Sequence, residues 1–107
     1  MSLKAFVTII RPANALFGSL TVIIGILTTY RIISSSIGSP WNFTELIFVL
    51  LTATLTYFCV ASAGNVVNDI YDLEVDRVNR PNRPLPSGAM TVRQAKAWTV
   101  TLLVLGL

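Results

Sequence analysis

LIFVLLTATLTYFCVASAGNVVN, residues 46–68, runs without a charged side chain into DIYDLEVD, residues 69–76. The first 23 residues decide the fold class. A helix rises about 1.5 Å per residue and the hydrocarbon core of a bilayer is about 30 Å thick, so about 20 apolar residues cross it. This run is long enough, and charge begins where it would leave the membrane. Toward the N-terminus, Pro12 to Tyr30 gives a second charge-free run of 19 residues. Toward the C-terminus, the 11 residues from Ala97 to Leu107 are also free of charge but too short to cross. The chain is therefore read as the N-terminal part of a larger membrane protein.

Composition agrees with that reading. Of 107 residues, 53% are hydrophobic and 12% charged, with a mean hydropathy of +0.69. A soluble domain this short has a high surface-to-volume ratio and needs more polar surface. The apolar content excludes a disordered chain. A single cysteine excludes a disulfide scaffold, and the absence of histidine argues against Cys/His zinc chemistry. Lys4 and Arg11 could open a signal peptide, but the run behind them is longer than a signal's apolar core and a second span follows.

Charge distribution sets an expected orientation. Net charge is +3, and the bases sit at a membrane edge beside acids, so no nucleic-acid partner is expected. Residues 31–42, with Ser34-Ser35-Ser36, Gly38 and Pro40, read as a short loop carrying one base. Two bases precede the first span, and Arg77, Arg80, Arg83, Arg93 and Lys96 follow the second. Cytoplasmic segments are enriched in Lys and Arg. The N-terminus and the acidic segment are thus expected in the cytoplasm, with Tyr30 and Trp41 at the outer interface. Gly18, Gly25, Ala61, Ala63 and Gly64 read as close helix packing.

Four of the five acids, Asp69, Asp72, Glu74 and Asp76, lie within eight residues. Asn68, Asp72 and Asp76 are spaced one helical turn apart and fall within an arc of about 80°. They form a ladder that continues from the membrane helix, with Asp69 at its rim and Glu74 on the other side, and the ladder is expected to line a cavity. Like charges one turn apart repel, and burying them unpaired is costly. Two readings compete. In one, the acids pair with Arg77, Arg80 and Arg83 as a solvated loop. In the other, their oxygens hold a hard cation such as Mg²⁺ together with substrate phosphate. Pro81, Pro84, Pro86 and Gly88 forbid a continuous helix beyond the ladder, and Thr91 with Gln94 reads as a capping box opening the next one.

Asn68-x-x-x-Asp72-x-x-x-Asp76, followed by Asn79-Arg80-Pro81-Asn82-Arg83-Pro84-Leu85-Pro86-Ser87-Gly88, resembles the first aspartate-rich motif and loop of UbiA-type intramembrane prenyltransferases. Arg11-Pro12-x-Asn14 resembles that family's start of helix 1. The resemblance implies an all-α, polytopic transmembrane helix bundle of nine spans with a central cavity open to the cytoplasm. This chain would supply spans at about 12–30 and 44–67, an active-site loop at 68–93, and a third span from about 94. It also implies Mg²⁺ held through two aspartate-rich motifs. The metal grips the diphosphate of a polyprenyl donor, and an acceptor attacks the resulting carbocation-like carbon. Carried over, Asp72 and Asp76 would be metal and diphosphate ligands, and Asn68 would orient or complete their shell. Asp69 is a weaker binding candidate. Arg77 or Arg83 would meet phosphate, and Asn14 would face the substrate pocket. The loop wording is most similar to members that transfer geranylgeranyl to geranylgeranylglyceryl phosphate in archaeal ether-lipid synthesis. The alternatives are an aromatic acceptor (quinone, haem or chlorophyll pathway) or a non-catalytic two-span membrane protein. The second aspartate motif belongs to a later helix. The implied partners are therefore the remaining helices, the lipid bilayer, a polyprenyl diphosphate and its acceptor. Residues 1–107 alone are expected not to catalyse, and the expected location is the cell membrane, multi-pass.

Overall fold

A computed structural model describes residues 3–107. These fold into α1 (Leu3–Ile9), α2 (Pro12–Ile37), α3 (Phe43–Tyr71), α4 (Leu73–Asn79) and α5 (Val92–Gly106). α3 is the spine, with α2 and α5 packed along it and α1 and α4 against it. The assembly measures 55 × 24 × 19 Å. The long dimension exceeds the bilayer's hydrocarbon core of about 30 Å.

Local chemistry sets the helix ends. Pro12 opens α2, where its missing N–H costs nothing. α3 opens on a capping box: Asn42 accepts from the Glu45 amide at 2.8 Å, and Glu45 accepts from the Asn42 amide at 3.1 Å. The box read at Thr91 and Gln94 is formed at the start of α5. One expected boundary is corrected. α2 runs through Arg31 and the three serines to Ile37, leaving only residues 38–42 as the connection. Serine is a middling helix former, not a breaker, and the helix ends only at Gly38, whose φ is 97°. Tyr30 and Trp41 stack at 6.2 Å across that short turn, and the Tyr30 hydroxyl donates to the Trp41 carbonyl.

Outward-facing side chains identify the solvent. Only 6% of the most apolar stretch of α2 and 17% of that of α3 are buried. Leu16, Phe17, Leu20 and Ile24 on α2, with Phe48, Leu51 and Leu55 on α3, are exposed. The core helix of a soluble protein would be mostly covered. Contiguous apolar faces of this size are unstable in water and stable against lipid or further helices. The fold is an all-α membrane fold.

The buried core lies toward the charged end. Ile9, Val66, Leu85, Met90, Ala95 and Leu102 belong to it, so the proline-rich loop 80–91 folds inward and contributes Leu85 and Met90. Gly88 takes a φ of 81° in that loop, which only glycine adopts without strain. Of the small residues read as packing positions, Gly18 and Ala63 act so. A Cβ on Gly18 would overlap Tyr57, and Ala63 is buried. Gly25 and Gly64 meet nothing within 4 Å, a correction explained by their place on open faces. α3 and α5 come close at Gly106, where a Cβ would stand 2.9 Å from Cys59.

The short helix α1 is stapled to its neighbours. Trp98 Nε1 donates to the Phe6 carbonyl at 3.2 Å, and its ring meets Phe6 edge-on at 5.5 Å. Asn65 Nδ2 donates to the Ile10 carbonyl at 2.8 Å. A helix end needs such partners for its last carbonyls. Trp98→Phe removes one staple and is expected to lower stability by about 1–2 kcal/mol. Tryptic cleavage after Lys4 should accelerate in detergent, and an unchanged rate would count against the staple.

Candidate functional site

α3 carries the acidic segment out of the apolar zone and ends at Tyr71. Asp72 is a junction with φ −89° and ψ 7°, and α4 resumes at Leu73. The ladder is therefore not one uninterrupted helix. Its backbone connections persist all the same: the Asp72 amide donates to Asn68 at 2.9 Å, Asp76 to Asp72 at 2.8 Å, and Arg80 to Asp76 at 2.7 Å.

Burial divides the ladder. Asn68 and Asp72 are exposed, whereas Asp76 is 5% exposed and Asp69 2%. Helical phase explains the division. At about 100° per residue, Asp69 and Asp76 lie only about 20° apart, seven residues along. They share the covered side of α3 and α4 with Ser62 and Val66. Asn68 and Asp72 continue the open side marked by Gly64. The arc of the ladder straddles the boundary between the two.

Asp69 is the best-connected acid. Its Oδ1 accepts from Arg11 Nη2 at 2.5 Å and from Arg83 Nη1 at 3.3 Å, and its Oδ2 lies 3.5 Å from Arg83 Nη1. This joins the break before α2, the end of α3 and the proline-rich loop at one carboxylate. Arg11 holds its place in a left-handed backbone conformation, φ 51° and ψ 66°. A side chain there costs about 1–2 kcal/mol. The proline that follows also disfavours the right-handed helical region for Arg11.

The remaining predicted residues behave differently. Arg77 bonds Glu74 at 2.6 Å on the open surface, where such a pair is worth at most about 1 kcal/mol. Asn14 is exposed in the first turn of α2. Among the described residues, no side-chain hydrogen bond links it to the acids. Two acids thus follow the solvated-loop reading or its buried equivalent: Glu74 with Arg77, and Asp69 with Arg83. Asp72 and Asp76 do not, because among the described residues neither is in an ion pair. Sequence reasoning missed the role of Arg11. It lies 58 residues from Asp69, and its position before Pro12 was the only local signal.

Whether the site suits a hard cation turns on these donors. Asp72 and Asp76, one turn apart, offer carboxylate oxygen only, and Asp76 is nearly buried without a protein donor among the described residues. Magnesium typically takes one or two carboxylates and completes its shell with water and phosphate. The pair fits that requirement as a half-site. Among the described residues, no group of three or more potential ligands gathers around one point. The better-formed clefts lie to the side. One of about 280 Å³ between α3 and α5 is lined by Val67, Ile70, Tyr71, Lys96, Thr99 and Val100. The expected cavity over the ladder is not closed by these helices, since Asn68 and Asp72 lie on the open side of α3.

Comparison with known proteins resolves the class. Residues 21–107 match the model of the UbiA prenyltransferase family, and the chain belongs to that family. It is 42% identical over 105 residues to the digeranylgeranylglyceryl phosphate synthase of Methanocaldococcus jannaschii, covering 98% of this chain and 33% of that protein. The proteins of the same name from Methanosarcina barkeri and Saccharolobus solfataricus are each 37% identical. Those matches cover 98% and 100% of this chain, and 37% and 34% of the relatives. The chain thus spans about a third of the length of the curated relatives it matches. No solved structure matches it.

The two ion pairs should differ in weight. Asp69→Asn leaves two guanidiniums around a neutral amide and should destabilise the chain by about 3 kcal/mol. Arg77→Ala should cost less than about 1 kcal/mol. Denaturation in detergent compares them, and equal losses would contradict the burial of the Asp69 site.

Proposed function

We propose that the protein containing this chain transfers a geranylgeranyl group from its diphosphate to geranylgeranylglyceryl phosphate in the membrane, with Mg²⁺. The observation that carries this reading is the contrast among the acids: Asp69 and Glu74 are paired with arginines, while Asp72 and Asp76 stand one turn apart and unpaired among the described residues. Family membership supports prenyl transfer, and the names of the relatives favour this choice of acceptor.

Asp72 and Asp76 would hold the metal, with Asn68, one turn before Asp72 on the open face, offering an amide to the same ligand. When bound, Mg²⁺ would neutralise charge on the departing diphosphate. Arg83, in the loop after α4 and 26% exposed, keeps guanidinium donors for phosphate oxygen. Asn14, at the start of α2, would face the substrate. Asp69 serves the site through its arginines. Glu74 occupies Arg77, which leaves Arg77 as a surface group.

The test joins residues 1–107 to the remaining helices of the Methanocaldococcus jannaschii relative and assays membranes with both substrates. Product should form with Mg²⁺ and vanish with EDTA. Asp72→Asn and Asp76→Asn should each lower the rate about 10²–10³-fold, as loss of several kcal/mol of charge stabilisation requires. The 107-residue chain alone should form none, because half of the expected acids are not in it. Metal-independent product, or full activity in both variants, would sink the reading.

We also infer that the N-terminus and the acidic end face the cytoplasm. Five bases follow α3 and two precede α2, against Arg31 alone toward the far end of α2 and none in residues 38–42. Ser35→Cys should react with a membrane-impermeant thiol reagent added to intact cells. Labelling only after lysis would reverse the orientation.

A further inference from the structure

Asp69 is 2% exposed and meets two guanidiniums, so this partly buried trio carries one excess positive charge. Asp72 and Asp76 pair with neither arginine in the structure. Arg11 Nε is buried and has no hydrogen-bond partner. An excess positive charge beside a buried, orphaned donor favours an anion. Arg83 reaches both Asp69 oxygens only at 3.3 and 3.5 Å, which leaves its fork free to turn toward a second acceptor. The N-terminus of the 26-residue helix α2 begins at this point and adds a partial positive charge. Both side chains are 26% exposed, so a ligand can reach them.

We propose that Arg11 and Arg83, held together by Asp69, form a binding site for the phosphate group of a prenyl-lipid substrate, separate from the carboxylate pair of Asp72 and Asp76. The planar fork of arginine suits a tetrahedral phosphate oxygen pair better than the point charge of lysine. Asp69 acts as a positioning residue: it touches no substrate and sets the two guanidiniums toward one point. The strained backbone at Arg11 serves the same end, because it turns that side chain back onto α3. The inference rests on the prenyl-transfer reading for the identity of the ligand and deepens it, since it adds Arg11 and assigns Asp69 to orientation. The phosphate has two possible sources, the diphosphate of the donor and the phosphate of the acceptor.

The experiment uses the 107-residue chain in lipid nanodiscs with EDTA present, so that metal-assisted binding is silent. Geranylgeranylglyceryl phosphate and geranylgeranyl diphosphate are titrated separately. The wild-type chain should bind at least one of them. Arg11→Lys and Arg83→Lys should each weaken that binding about tenfold or more, through loss of the paired N–H donors. Arg93→Lys should change it less than twofold. The ligand whose affinity falls identifies the source. Asp69→Asn should weaken binding per folded molecule as well as lower the melting temperature, whereas a purely structural role would lower only the latter. If that variant does not fold, the two lysine variants still decide. Absence of metal-free binding in the wild type, or wild-type affinity in Arg11→Lys, overturns the proposal. Failure of the prenyl-transfer reading is distinguishable. In that case the chimaeric membranes form no product while Arg11→Lys still weakens metal-free binding, and the phosphate site stands alone.

Discussion

A carboxylate buried at the end of a membrane helix must be neutralised, and the architecture of the charged end of this chain follows from how that is done at Asp69. Its two arginine partners come from separate segments, one before α2 and one in the loop after α4. Neutralising one charge therefore fixes the entry of the first long helix and the fold of a proline-rich loop at once. An isolated charge at this depth would cost several kcal/mol, so the three segments are held by the penalty of separating them as much as by any attraction. The left-handed backbone of Arg11 between α1 and α2 goes with this pairing and with Pro12, which disfavours the right-handed region for the residue before it.

The remaining acids are sorted by the same helix. One turn of α3 and α4 presents a covered side and an open side, and four closely spaced acids fall on both. Asp69 is covered and paired, and Glu74 is open and paired. Asp72 is open and Asp76 covered, and among the described residues neither has an ion-pair partner. That leaves two oxygen-bearing groups, one turn apart, at the junction where α3 gives way to α4. A mixture of paired and unpaired acids separates carboxylates that help hold the fold from carboxylates that no arginine among the described residues neutralises.

Around this end the packing is polar and local, while the spans are apolar and exposed. α1 is tied by Trp98 and Asn65 to backbone carbonyls, and Leu85 and Met90 close the core from the loop side. Beyond them, α2 and α3 show leucine, isoleucine and phenylalanine to their surroundings. Lipid tails accept such surfaces at no cost. Helix association there depends on close approach, as at Gly18 against Tyr57 and Gly106 against Cys59. The buried core and the tertiary hydrogen bonds of α1 are thus gathered at the charged end.

The sequence by itself determined the class of protein: two charge-free runs long enough to cross a bilayer, helix starts at Pro12 and Thr91, and an acidic cluster at the end of a span. These features depend on hydropathy, length and local capping, which act over a few residues and are visible in one dimension. Helical spacing alone also grouped Asn68, Asp72 and Asp76 within one arc. Only the tertiary structure decided which side of α3 is covered, and this set Asp76 apart from Asp72 and Asn68. It also revealed Arg11 as the partner of Asp69, a contact across 58 residues that no local pattern encodes. The serine-rich stretch after Tyr30 shows the complementary error: its composition suggested a loop, but nothing in it breaks a helix before Gly38. Composition states what a segment tolerates. Burial and pairing, set by which helices meet, decide what its charges do.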